Sequence, residues 1–276
     1  MENNIKMLLG LLTLTTVFCG AALNQIRRNP NPLQAPMSQN PNPTASTRSR
    51  ILSLEPNPNA EQIPSVIPHS AHYSTIIRIY DGDCISAALN LREKVGILNF
   101  ANAHAPGGAQ EGAICSQTNL LTFLRDPSVT NFYELNKPEY PENERRVVMS
   151  DDVTILKEGH YDLPETRQKK VLVCSAAAVD NNEGRFNAES EMLIRVRTVI
   201  SAFAYYRVPN IILGAWGCGV FGNSPDLVAR AFYQILITEH MKDYFKNVHF
   251  AIYGNANGIN NNIDAFKRVF SGQALD

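Results

Sequence analysis

Apolar positions along the chain fall into two alternating kinds of run. Val95 to Phe100 is a short, almost wholly apolar stretch, the pattern of a strand buried on both faces. Thr75 to Tyr80, Val147 to Val153, Lys170 to Ser175, Asn210 to Leu213 and Asn247 to Tyr253 read as further strands. Between them the period lengthens. Ile85 to Arg92 reads as a short helix, and Leu120, Leu121 and Leu124 continue a helix that begins near Ala113. Glu189 to Tyr206 carries Met192, Val196, Val199, Ile200 and Phe203 on one helical face. Pro225 to Met241 reads as one long helix with proline at its start, and Ile263 to Phe270 as a closing helix. Asn131 to Asn143 is proline-punctuated and reads as irregular. Strands alternating with helices predict an α/β fold, a three-layer sandwich with a mainly parallel central sheet. Ligands of such sheets sit outside the carboxyl ends of the strands. The loops after Phe100, Ser175, Leu213 and Tyr253 are therefore expected to meet at one cleft.

The N-terminal quarter has neither period. Met1 to Leu23 places Lys6 before the apolar run Met7–Ala22, with small residues at Gly20-Ala21-Ala22, and reads as a signal peptide or N-terminal anchor. The run is short for a spanning helix, which favours cleavage and export over anchoring. Residues 24–73 are rich in Pro and Asn, with Asn-Pro-Asn-Pro at 29–32 and again at 40–43. Proline removes backbone donors and biases its predecessor away from helix, so this stretch reads as a disordered linker. The folded domain is expected over 74–276.

Charge and composition exclude more than they assign. A formal net charge of −1 gives no bulk attraction for nucleic acid or an acidic membrane surface. Arg145-Arg146 and Lys169-Lys170 read as ordinary solvated pairs. Cys19, Cys84, Cys115, Cys174 and Cys218 form no Cys-x-x-Cys and no zinc-spaced Cys/His set, so no metal or cofactor is expected. Each cysteine reads as a small buried thiol, with a reactive role open for Cys115 and Cys218 beside the loops.

Candidate chemistry lies in two glycine-bearing loops, each between a strand and a helix. The first runs from Ala101 to Gly112 with Pro106-Gly107-Gly108 at its turn, two amides (Asn99 and Asn102) and the carboxylate of Glu111. The second runs from Gly214 to Gly222. Strand, glycine loop and helix N-terminus together suit a phosphate, because backbone N–H groups can approach the anion and the helix dipole favours it. Taken alone, the second loop reads equally as a tight turn with Phe221 in the core. Trp216 reads as packing beneath it. Asp180-Asn181-Asn182, after the Lys170–Ser175 strand, reads either as part of the cleft lining or as a plain polar connection.

Asn99-Phe100-Ala101-Asn102-Ala103, Pro106-Gly107-Gly108 and Ala109-Gln110-Glu111 resemble the microbial-type poly(ADP-ribose) glycohydrolases, which are macrodomain-like enzymes. Leu213-Gly214-Ala215-Trp216-Gly217-Cys218-Gly219-Val220-Phe221 and His249 to Tyr253 continue the resemblance in the family's order, over roughly Thr75 to Phe270. The joint match argues against an unrelated nucleotide-sugar enzyme. The resemblance implies ADP-ribose, or an ADP-ribosylated protein, as the partner of a monomeric domain. It implies that Gly107, Gly108 and Gln110 belong to the first binding loop and that Asn102 holds the distal ribose. Gly217, Cys218, Gly219 and Val220 would wrap the diphosphate, and Phe221 would stack on the adenine. Asp83 would lie near the adenine end; as a plain residue reading it is equally a turn acid or helix cap.

The family carries two adjacent glutamates after its glutamine. Here the string is Gln110-Glu111-Gly112, and the preceding loop is short. In the usual alignment Gly112 replaces the catalytic acid, which leaves an ADP-ribose reader. With a shortened loop Glu111 takes that role, as the acid that protonates the departing oxygen of a ribosyl glycosidic bond. The expectation is an ADP-ribosyl glycohydrolase acting through Glu111, with the inactive reader as the alternative. An export signal suggests action outside the producing cell.

Overall fold

The structure, a computed structural model, describes residues 48–68, 73–105, 109–134, 136, 144–182, 184, 187–254 and 261–272. The expected signal segment, and residues 24–47 of the expected linker, lie outside the described residues. The strands are β1 (Arg48–Ser53), β2 (Glu61–Gln62), β3 (Ile76–Asp81), β4 (Val95–Ala101), β5 (Val147–Ile155), β6 (Lys157–Glu158), β7 (Tyr161–Asp162), β8 (Lys169–Ala177), β9 (Asn210–Leu213) and β10 (Asn247–Ile252). The α-helices are α1 (Cys84–Asn90), α2 (Ala109–Gln117), α3 (Leu120–Leu124), α4 (Pro127–Glu134), α5 (Ala188–Tyr205), α6 (Pro225–Tyr233) and α7 (Asn261–Val269).

Eight strands form one sheet in the order β2-β1-β5-β8-β4-β9-β10-β3. β8, β4, β9, β10 and β3 are mutually parallel, and β5 enters antiparallel to both β1 and β8. Alternate residues of each inner strand feed opposite cores. Leu98, Leu172, Cys174, Ile211 and Val248 join the core on the side of α5, α6 and α7. Ile97, Val171, Val173 and Ile212 join the core on the side of α1 to α4. Burial on both faces is the physical reason that these strands are apolar at nearly every position. The three-layer, mainly parallel expectation holds.

Four local expectations are corrected. The domain does not begin at 74: β1 pairs with β5 over five residues, and Leu52, Ile63 and Ile67 are buried. The segment Arg48–Ser53 contains no proline, so its backbone can complete a ladder that its neighbours cannot. Asn131 to Asn143 was expected to be irregular, yet its first four residues close the helix Pro127–Glu134, which buries Val129, Phe132 and Tyr133. The helix expected from Pro225 to Met241 stops at Tyr233, passes through a π turn at Gln234–Thr238, and is ended by His240 in the left-handed region (φ 58°). The helix expected to run through Leu124 is two helices, separated where Thr118 bridges to Ile155.

Arg145-Arg146 is not a solvated pair. Arg146 is fully buried, and Arg145 forms ion pairs with Glu55 and Glu191, both at 2.9 Å. Lys169 donates to the Leu91 carbonyl, while Lys170 is exposed as expected. Among the described residues no helix is long and apolar enough to cross a membrane.

Candidate active site

The register brings the expected loops to one edge of the sheet. Ala101 at the end of β4 lies opposite Ala177 at the end of β8, Phe250 of β10 opposite Leu213 at the end of β9, and Ile252 opposite Asp81 at the end of β3. The loops that follow leave the sheet together, at the carboxyl ends of its parallel strands.

Glu111 sits in the first turn of α2, beneath β4, and is 1% exposed. Its Oε1 accepts a 2.8 Å hydrogen bond from Asn99 Nδ2, which also donates to Ser175 Oγ at 2.9 Å. Asn99 and Ser175 are register partners across β4 and β8, so two strands and one helix fix this carboxylate. Burial first, and then the charge of Glu111, pushes the Cys115 thiol up to about 12; the same two causes raise the Tyr133 phenol. Burial also pushes Cys84 and Cys218 up to about 12. All three cysteines are protonated near neutral pH and are poor nucleophiles, so neither Cys115 nor Cys218 is activated.

Gly112 is exposed, and a Cβ built on it would meet nothing within 4 Å. Its φ lies outside the left-handed region, so a larger residue would fit this helical position. Gln110, expected in the first binding loop, holds the start of α2 to β4. Its Oε1 accepts from the Phe100 N–H at 2.8 Å, and its Nε2 donates to the Leu98 carbonyl at 3.3 Å. The amide thus fastens α2 to β4. Asn102 is half-buried, and its Oδ1 accepts from the His104 N–H at 2.8 Å, an Asx turn that shapes the loop. Gly107 and Gly108 lie outside the described residues.

In the second loop Gly217 and Gly222 adopt φ of 76° and 65°. A Cβ on Gly217 would lie 2.6 Å from Ala178 Cβ and 2.7 Å from Asn223 Nδ2, so only glycine fits. Gly219 has open space around it, and Val220 at the loop tip is 87% exposed. Cys218 and Phe221 are half-buried against the core. Trp216 is buried beneath the loop and donates from Nε1 to the Ala176 carbonyl at 3.2 Å.

Sequence reasoning passed over the residues that brace this loop. The Asn181 N–H donates to the Phe221 carbonyl at 3.0 Å, and Asn182 Nδ2 donates to the Val220 carbonyl at 2.7 Å. Asn223 Nδ2 donates to the Val179 and Gly217 carbonyls at 2.7 and 3.0 Å. The signal was the Asp180-Asn181-Asn182 string directly after an apolar strand. At the far end of the edge, Asp83 caps α1, its Oδ1 accepting from the Ile85 and Ser86 N–H groups at 2.9 Å each. Asp81 Oδ1 accepts from the Gly254 N–H at 2.8 Å and ties β3 to the end of β10. Tyr253, next to it, is 80% exposed and offers an aromatic face that sequence reasoning did not single out. Among the described residues no group of His, Cys, Asp and Glu gathers as a metal site.

A parallel α/β sheet with two strand–loop–helix crossings at its carboxyl edge, one carrying a fixed carboxylate and the other a glycine cradle, defines a macrodomain-like domain. Comparison with known proteins carries this further. Residues 37–158 match the family model of the microbial-type PARG catalytic domain. Poly(ADP-ribose) glycohydrolase from Deinococcus radiodurans, solved with ADP-ribose, superposes with a TM-score of 0.67 at 26% identity, over 75% of this chain and 88% of that one. The Thermomonospora curvata enzyme bound to the inhibitor ADP-HPD superposes at 0.61 with 25% identity, over 71% and 79% of the two chains. No curated protein sequence matches. Together these findings make residues 37–158 similar to the catalytic domain of the microbial-type poly(ADP-ribose) glycohydrolases, and the fold of the domain similar to that of two solved poly(ADP-ribose) glycohydrolases. The family match begins at residue 37, which agrees with β1 belonging to the domain.

Proposed function

We propose that the protein is an ADP-ribosyl glycohydrolase, which binds ADP-ribose at the carboxyl edge of the sheet and releases it from a polymer or a modified protein. The observation that carries this reading is the Glu111 carboxylate, fixed by Asn99 at the end of β4 in a fold that matches enzymes solved with ADP-ribose. Breaking a ribosyl C–O bond develops positive charge on the ring and needs a proton on the departing oxygen. In this reading Glu111 supplies that proton, and water then adds at the anomeric carbon and restores it. Asn102 holds the distal ribose, the loop from Gly217 to Val220 receives the diphosphate through its backbone N–H groups, and Asp83 and Phe221 serve the adenine end. No cofactor or metal takes part, and the domain acts as a monomer. Residues Met1 to Leu23 favour export of the domain.

A second reading rests on Gly112. The family's second glutamate would stand there, and the position is exposed and bare. In that case the protein is a reader of ADP-ribosylated targets without turnover. Calorimetry with ADP-ribose, run beside hydrolysis of a poly(ADP-ribosyl)ated protein, decides between them. Binding with release of ADP-ribose supports the hydrolase, binding without release supports the reader, and the absence of both defeats the ADP-ribose reading altogether.

A further inference from the structure

A buried charged cluster lies behind the two binding loops, and its members come from segments far apart in the chain. Glu144, just before β5, is 3% exposed. Its Oε2 accepts from Arg195 Nη2 at 3.0 Å, and its Oε1 lies 3.8 Å from Nε2 of His104, two residues after Asn102 in the first loop. Arg195, on α5, is 1% exposed. Its Nε donates to Glu191 Oε1 at 3.0 Å, and its Nη1 donates to the Ala177 and Ala178 carbonyls at 3.2 and 3.1 Å. Those carbonyls end β8, from which Val179, Asn181 and Asn182 hold the second loop. A parallel tether runs from Arg146 Nη2 to Asn136 Oδ1 at 2.9 Å, and from Asn136 Nδ2 to the Ala103 carbonyl at 2.8 Å.

Stability alone accounts poorly for this arrangement. Buried ion pairs are expensive to desolvate, and apolar residues of similar volume often serve as well or better. What apolar residues cannot do is hold the end of β8 through directional bonds from Arg195 and at the same time set a carboxylate 3.8 Å from His104 of the first loop. We infer that Glu144 is a positioning residue for the distal-ribose loop: it links His104 of that loop to Arg195, whose guanidinium also holds the end of β8. The inference rests on the ADP-ribose reading of the site. It predicts a selective defect, because the loop that Glu144 steadies faces the ribose end and not the adenine end.

The experiment is calorimetry on the wild type, His104→Ala, Glu144→Gln and the double variant, with ADP-ribose and with ADP, which lacks the distal ribose. Each single variant is expected to weaken ADP-ribose by about fivefold or more while ADP changes by less than about twofold. The double variant should be no weaker than the worse single, because both break one link. Unchanged ADP-ribose affinity in the single variants, or an equal loss for ADP, overturns the inference. His104 is partly exposed (43% of its side chain), so His104→Ala keeps the test decisive even if Glu144→Gln does not fold. A wild type that binds ADP-ribose no better than ADP defeats the ribose reading itself, and this inference with it; wild-type preference retained in the variants defeats the inference alone.

Discussion

Replacing Glu111 by glutamine keeps the side chain's size and an oxygen acceptor for Asn99 Nδ2 while removing the titratable proton. Where the carboxyl is ionised, its 2.8 Å bond to Asn99 changes from a charged to a neutral one, which sets the upper bound on the loss. Bonds to charged groups contribute ~1.5–3 kcal/mol and neutral ones ~0.5–1.5 kcal/mol, so that bound is about 1 kcal/mol. No longer burying a charge offsets part of it. The melting temperature should therefore move by no more than about 2–4 °C in a domain of this size. Turnover should fall by ~10²–10⁴ if Glu111 is the working acid, which corresponds to about 3–5 kcal/mol in the barrier. ADP-ribose affinity should hardly change, because binding comes mainly from the two loops. The assay is single-turnover release of ADP-ribose from a poly(ADP-ribosyl)ated protein, beside a melting curve and calorimetry. A folded variant that binds and turns over like the wild type would refute the role of Glu111 and direct attention to Asp180, which follows β8 at the same edge of the sheet.

Three further outcomes follow from the same geometry. Gly112→Glu places a good helix former and a negative charge in the first turn of α2 with nothing in its way, so stability should rise by about 1 kcal/mol; turnover should stay as it is if Glu111 is the working acid and should appear anew only if the natural protein is a silent reader, and a lower melting temperature would contradict the helical geometry. Gly217→Ala forces a Cβ to within 2.6 Å of Ala178 at a left-handed φ, which should cost about 2–4 kcal/mol and weaken ADP-ribose by about tenfold or more, read by denaturant titration and calorimetry. Removing residues 1–46 should leave a folded domain, whereas removing 1–73 deletes β1 and the buried Leu52, Ile63 and Ile67 and should abolish cooperative melting; equal melts for the two truncations would show that β1 is dispensable.

Much of the architecture was legible in the chain because its signals are local. Asn210–Leu213 is a strand as read, since the short apolar run Ile211-Ile212-Leu213 is bounded by the breakers Pro209 and Gly214 and is too short for a helix. Ala188–Tyr205 is a helix within a residue at each end, because Met192, Val196, Val199 and Phe203 recur at helical spacing and Asn187 accepts from the Ser190 N–H as its cap. The strand–helix alternation carried the parallel sheet, and with it the edge where the loops meet.

What escaped was non-local. β1 was hidden by the prolines around it, and its ladder forms only because β5, about a hundred residues on, presents a free edge. Arg145-Arg146 looked solvated because adjacency along the chain says nothing of Glu191, forty-six residues away, or of the aromatic ring of Phe132 beneath Arg146. Gln110 matched a binding motif, yet its amide bonds β4. The sequence by itself determined which segments are strands and helices and where glycine, amide and carboxylate cluster, because periodicity and turn chemistry depend on residues a few positions apart. Only the tertiary structure decided that Glu111 is buried against Asn99, that Gly217 and Gly222 but not Gly112 or Gly219 need a left-handed backbone, and that Glu144 reaches His104. Each of those depends on distances between segments that meet only when the sheet is assembled.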